Sequence, residues 1–254
     1  LGEVRGRWRE FAGRPLMSMR DGCAGFFTEA ALAEGRGVRR SQLQLQARAG
    51  QWTGGYQPLR AMPDEALNES QVDALRQGDL SACFGSDFAD LPLVRPTRLP
   101  GGDMRLVHRI KELEARGGRF GIGRILGEAD IQPDDWFLTC HFSDDPVMPG
   151  TLMYECCLHT LRVFLLSAGW VFEADSLHYR PIPGRSSQLK CRGQVLPSTR
   201  LVAYEIEIKE MGYGPEPYVI CDALMYADGK AIVDISDMTL QLPGATKETM
   251  EALW

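Results

Sequence analysis

The segment Thr151–Trp170 constrains this chain more than any other. Leu152, Met153, Cys156, Cys157, Leu158, Leu161, Val163, Phe164, Leu165 and Leu166 would cover nearly the whole circumference of a helix. A helix that is apolar all round is buried rather than laid on a surface. It does not read as a membrane span, because the longest apolar run, Val163–Phe172, is closed by Arg162 and Glu173 and falls short of the roughly 18–20 residues required. In a chain of 254 residues, a sheet wrapped about the helix would bury it.

The last third supplies that sheet. In Leu201–Met211, Val202, Tyr204, Ile206 and Ile208 share one face and Ala203, Glu205, Glu207 and Lys209 the other. Pro217–Tyr226 and Lys230–Leu242 are two further β-rich runs, and the Asp228-Gly229 between them predicts a hairpin. No βαβ alternation is present, which disfavours a doubly wound sheet and leaves an α+β fold of antiparallel strands around one helix. Upstream, Phe120–Ile131 and the aromatic run Trp136–Phe142 read as strands. Residues 1–95 are turn-rich and show no complete core. Helices are expected there from Thr28 to Gly35, and from Asn68 or Ser70 to Gly78.

Composition narrows the function classes. A net charge of −6 argues against a general nucleic-acid binder. No amino-terminal signal pattern is present, and seven cysteines without CxxC spacing fit reduced thiols in a cytoplasmic setting rather than a disulfide framework or a zinc site. Asp144 and Asp145 near His141 read as turn residues, and Gly121-Ile-Gly123 lacks the spacing of a dinucleotide loop, so neither a metal nor a cofactor is expected. Cys140 reads as an inert buried thiol, and His108 and His178 as structural or exposed.

Chemistry concentrates around the start of the apolar helix. Glu155 and His159 lie one turn apart on one face, and a buried carboxylate needs a partner or a raised pKa. His141 precedes the turn that ends in Pro149-Gly150. The unpaired N–H groups of a helix start can polarise a carbonyl oxygen. A base near neutral pH, a carboxylate and an electrophilic site are together the set needed to remove a proton alpha to a carbonyl and expel a beta hydroxyl.

His141-Phe-Ser-Asp-Asp-Pro-Val-Met-Pro-Gly150-Thr-Leu-Met-Tyr-Glu155 resembles the signature of the bacterial β-hydroxydecanoyl-type thioester dehydratases, which have a hotdog fold. The resemblance spans roughly residues 96–243, including Leu99-Pro100, Leu106-Val-His-Arg-Ile, Gly117-Gly118 and Gly193-Gln-Val-Leu-Pro197. Residues 72–95 resemble the stretch before such domains in multidomain polyunsaturated fatty acid and polyketide synthases, and residues 21–38 the trailing edge of an upstream unit there. The expected division is therefore a connector at 1–95, a hotdog at 96–243 and a tail at 244–254. That the chain begins with Leu1 fits a piece of something longer.

The resemblance implies roles. His141 matches the catalytic base, Glu155 the catalytic acid (an aspartate in the simpler relatives) and Gly150 the glycine whose N–H binds the thioester carbonyl. His159, where an amide side chain is usual, is placed with Val147 and Thr151 around the substrate. In this family histidine and acid come from opposite hotdogs, which implies a second hotdog as partner. The substrate would arrive on an acyl carrier protein, with Arg180, Arg185, Lys190 and Arg192 as a candidate docking cluster. The rival readings are a hotdog thioesterase, which would need an activated water, and a hotdog without catalysis.

Overall fold

The structure is a computed structural model that describes residues 35–254 in full and, before them, the backbone of four short strands. The chain divides into two compact units, residues 1–36 and 37–254. In the first, β1 (Gly2–Val4) pairs antiparallel with β4 (Gly22–Ala24), and β2 (Arg9–Phe11) with β3 (Arg14–Met17). The helix expected at Thr28–Gly35 lies, but for its last residue, outside the described residues.

The second unit is built on one sheet with the strand order β6-β7-β8-β10-β11-β12-β9, every pair along it antiparallel. These strands are β6 (Glu65–Leu67), β7 (Arg109–Glu114), β8 (Arg124–Asp130), β9 (Gln188–Cys191), β10 (Leu201–Gly212), β11 (Tyr218–Ala227) and β12 (Lys230–Gln241). A further short strand, β5 (Gln51–Thr53), runs parallel to the end of β10. Val202, Tyr204, Ile206 and Ile208 are fully buried, as the alternation in β10 requires. Asp228 and Gly229 take positive φ values of 47° and 81° between β11 and β12, the geometry of the predicted hairpin turn.

The helices of this unit are α1 (Gln42–Leu45), α2 (Glu69–Gln77), α3 (Leu80–Phe84), α4 (Trp136–Cys140), α5 (Gly150–Ser167) and α6 (Lys247–Glu251). The apolar segment is α5, packed against β8, β10 and β11 and buried over most of its surface, so the fold is the expected sheet wrapped around a central helix. Gly127 on β8 lets the helix lie close: a Cβ there would stand 3.0 Å from the Thr160 side chain. Gly123 does the same beneath Phe164 and holds a φ of +143°.

Two expected strands change. Phe120–Ile131 shortens to Arg124–Asp130, because Gly118, Gly121 and Gly123 all have positive φ and keep the preceding residues in a turn. The aromatic run after it folds as α4 rather than a strand. Its neighbours Phe137 and Leu138 are both buried; a helix places adjacent side chains about 100° apart, whereas a strand would send one of them outward.

The compact unit is also longer at both ends than 96–243. Asn68 caps α2 by accepting from Gln71 N at 3.0 Å, and Gly78 closes it with φ +82°. Val72, Leu75, Leu80, Cys83 and Phe88 enter the same core as the sheet, and β6 pairs with β7. At the other end Met250 is buried and Trp254 donates to Gly169 O at 3.0 Å. Residues 39–48 cross the outer face of the sheet. Arg40 there donates to Asp234 at 2.8 Å and lies 3.6 Å from Glu207, while Arg119 bonds Glu207 and Asp222.

Candidate active site

His141 follows α4 and enters a turn that returns to the start of α5. Phe142 N donates to Asp145 O at 2.8 Å and Val147 N to His141 O at 2.9 Å, so Asp145 acts through its backbone in closing the turn. The His141 side chain completes this turn, with Nδ1 2.8 Å from Val147 O. A carbonyl oxygen can only accept, so in the neutral ring Nδ1 carries the proton and the lone pair is on Nε2.

Val147 is thus joined to His141 through its backbone. The turn ends at Pro149, whose carbonyl takes the N–H groups of Leu152 and Met153 at 3.0 Å each. Among the described residues no hydrogen bond occupies the N–H of Gly150 or Thr151, the first two of the helix. A Cβ on Gly150 would meet only Cys191 Sγ, at 3.6 Å, so the packing of this chain does not itself require glycine there.

His141, Gly150 and Thr151 come together around one cavity of about 560 Å³, with Pro149, Tyr154 and Leu189 completing the lining. This volume lies within the usual range for small-molecule sites, about 300–1,000 Å³. Tyr154, Leu189 and the neighbouring Cys191 escape sequence reasoning. Leu189 and Cys191 belong to β9, which is brought beside the helix start only by pairing with β12. Tyr154 had a signal, its place one turn after Gly150 on the same face. Its hydroxyl lies 3.2 Å from that of Ser187.

Glu155 and His159 do not join this cavity within the chain. Glu155 stands one turn after Thr151 on the helix, but its side chain does not line the cavity. Its Oε1 lies 3.1 Å from His159 Nε2 and 3.7 Å from Arg162 Nη2. The His159 contact, with the Arg162 charge behind it, outweighs burial and holds the carboxyl below the ordinary range. The sequence suggested a buried carboxylate; this one is 30% exposed and ionised. His159 is fully buried, and burial pushes its pKa down and keeps it neutral. It therefore offers Glu155 a dipole more than a charge. Neither of its ring nitrogens completes a well-aligned hydrogen bond among the described residues.

The remaining candidates sort plainly. His108 is structural, its Nδ1 accepting from Asp130 N at 3.1 Å, and His178 is exposed. Cys140, expected to be buried, is exposed at the end of α4, and it and the other five described cysteines are free thiols. Arg185, Lys190 and Arg192 are exposed before, on and just after β9, while Arg180 reaches Glu216 at 3.5 Å. No helix of the described residues is long and apolar enough to cross a membrane.

The chain is 34% identical over 215 residues to one of the subunits of a polyunsaturated fatty acid synthase from Thraustochytrium sp.. That match takes in 83% of this chain but only 14% of the relative. Solved structures similar to it include a hypothetical thioesterase with coenzyme A from Streptococcus pneumoniae, at 10% identity and TM-score 0.35, covering 49% of this chain and 81% of that one. Another is the dehydratase heterocomplex ApeI:P of Xenorhabdus doucetiae, at 12% identity and TM-score 0.31, covering 47% and 86%. The FabA-like domain matches residues 99–236, which takes in β7, β8, the His141 turn, the whole of α5 and most of the wrapping sheet. With a match over more than half its length and the central helix inside it, the chain belongs to the FabA-like domain family.

Proposed function

We propose that this domain dehydrates a β-hydroxyacyl thioester to the enoyl thioester, with the acyl group carried on an acyl carrier protein of a fatty acid or polyketide synthase. The observation that carries the reading is the pairing of a His141 Nε2 left free by the Nδ1–Val147 bond with the unpaired Gly150 N–H, in one cavity. His141 Nε2 takes the alpha proton while Gly150 N–H, at the positive end of α5, holds the thioester oxygen as charge builds there. The alpha C–H electron pair forms the double bond, and the beta hydroxyl leaves as water with a proton from a carboxylic acid. Thr151, Tyr154 and Leu189 would line the acyl path.

In this reading the acid is Glu155 of a second hotdog, and the Glu155 described above serves the partner's histidine. What supports the division is that Glu155 does not line the His141 cavity of its own chain and is partly exposed, where a partner can reach it. Covering it with a partner would strip its water, and desolvation favours the protonated form that the acid step needs. Arg185, Lys190 and Arg192, exposed beside Leu189, are placed to meet the acidic surface of a carrier. Free thiols fit a cytoplasmic setting.

The test is a β-hydroxyacyl thioester supplied to purified protein, with the enoyl product and its rehydration followed by absorbance. His141→Ala and Glu155→Gln should each lower turnover by about 10²–10⁴-fold, the ordinary range for lost acid–base groups. Wild-type activity in His141→Ala would overturn the assignment. Free thiol released without an enoyl product would instead identify a thioesterase.

A further inference from the structure

A second cavity, of about 250 Å³, lies at the opposite end of α5 from His141. Phe164 reaches it from the helix, about 21 Å along the axis from Gly150 at 1.5 Å per residue. Its walls come from parts of the chain that the proposed chemistry does not use: Trp52 and Tyr56, the 58–62 segment, Ala115, Arg116, Ile122 and Met211. Aromatic and aliphatic groups dominate, no carboxylate is among the lining residues, and two arginines are.

The arginines differ. Arg60 is already committed, donating to Ser167 O and Asp87 at 3.1 Å each. Arg116 is exposed and lies 4.1 Å above the Trp52 ring, with no carboxylate partner among the described residues. An aromatic face stabilises a guanidinium without neutralising it. The cavity therefore joins an apolar interior to an unneutralised cation.

We infer that this cavity is a second binding site, distinct from the catalytic one, for a small amphiphile with a hydrocarbon tail and a carboxylate head. The tail occupies the space between Phe164, Met211 and Ile122. The carboxylate meets Arg116 at the mouth. A volume of about 250 Å³ suits a short hydrocarbon chain, for which octanoate is the probe. Arg116 selects the head, because an anion there gains a partner and a cation would face a like charge.

The test titrates octanoate into the purified protein by calorimetry, with octylamine as the matched cation. Octanoate should bind saturably and octylamine at least tenfold more weakly. Arg116→Glu, a change at an exposed position, should weaken octanoate at least tenfold and reverse the preference between the two heads. Ala61→Trp, which sets an indole across the mouth, should abolish the binding. Both variants should keep the wild-type rate on the β-hydroxyacyl thioester, since neither residue touches the His141 cavity. Absence of saturable binding by wild type overturns the inference. So does octanoate binding that survives Arg116→Glu unchanged, which would place the fatty acid in the His141 cavity instead.

Discussion

At the scale of single residues, His159 shows what burial does to a titrating group. Its pKa lies below the ordinary imidazole value because the charged form is kept from water. The unfolded chain therefore binds a proton at higher pH than the folded one does, and folding stability is lost as pH falls below about 6.5. His108, lowered for the same reason, adds to this slope. Glu155 is held low by its neighbours and contributes only further down, its stabilisation lost as pH falls below the ordinary carboxylate range. His159→Gln, which cannot titrate, should flatten the dependence of the urea midpoint between pH 7 and 5. An unchanged slope would show that the imidazole titrates alike in both states. Among the candidate site residues, His141 and Gly150 were legible because they flank one turn, and Thr151 through the family resemblance. Leu189 and Cys191 were hidden because strand pairing, not sequence proximity, delivers them.

Elements respond to packing that a single strand does not display. Gly127 and Gly123 stand where β8 meets α5, and their meaning is plain only once Thr160 and Phe164 are opposite them. Thr160 cannot simply swing away, because its hydroxyl donates to Cys156 O at 3.0 Å within the helix. Gly127→Val should therefore destabilise the fold by about 1–3 kcal/mol through overpacking, read as a lower urea midpoint with unchanged slope. A midpoint equal to wild type would mean that the helix can move off the sheet without cost. The central helix and the β11–β12 hairpin were readable because each carries its own periodicity or turn chemistry. The aromatic run of α4 was not, since five residues hold too little pattern to separate a short helix from a strand.

For the molecule as a whole, residues 37–95 are part of the fold rather than an approach to it. Their apolar residues are too sparse to make a core alone, which is why the stretch reads as a connector. Leu67, Val72 and Leu75 are buried because the main sheet and its surroundings supply the other half of the contact. A chain starting at Gly37 should unfold cooperatively, whereas one starting at Pro96 should lose that transition and expose core surface to a hydrophobic dye. Cooperative unfolding of the shorter chain would restore the boundary near residue 96. The strap across the outer face carries the same point into time. Arg40 is made 194 residues before Asp234, its hydrogen-bond partner. At ribosomal speeds of about 5–20 residues per second, roughly 10–40 s pass before the acceptor exists. Throughout that interval Arg40 lacks this acceptor, while the strap's later residues, Gln44 and Arg48, already have their partner in Arg119. The domain therefore closes on its beginning only after its last strand has been synthesised.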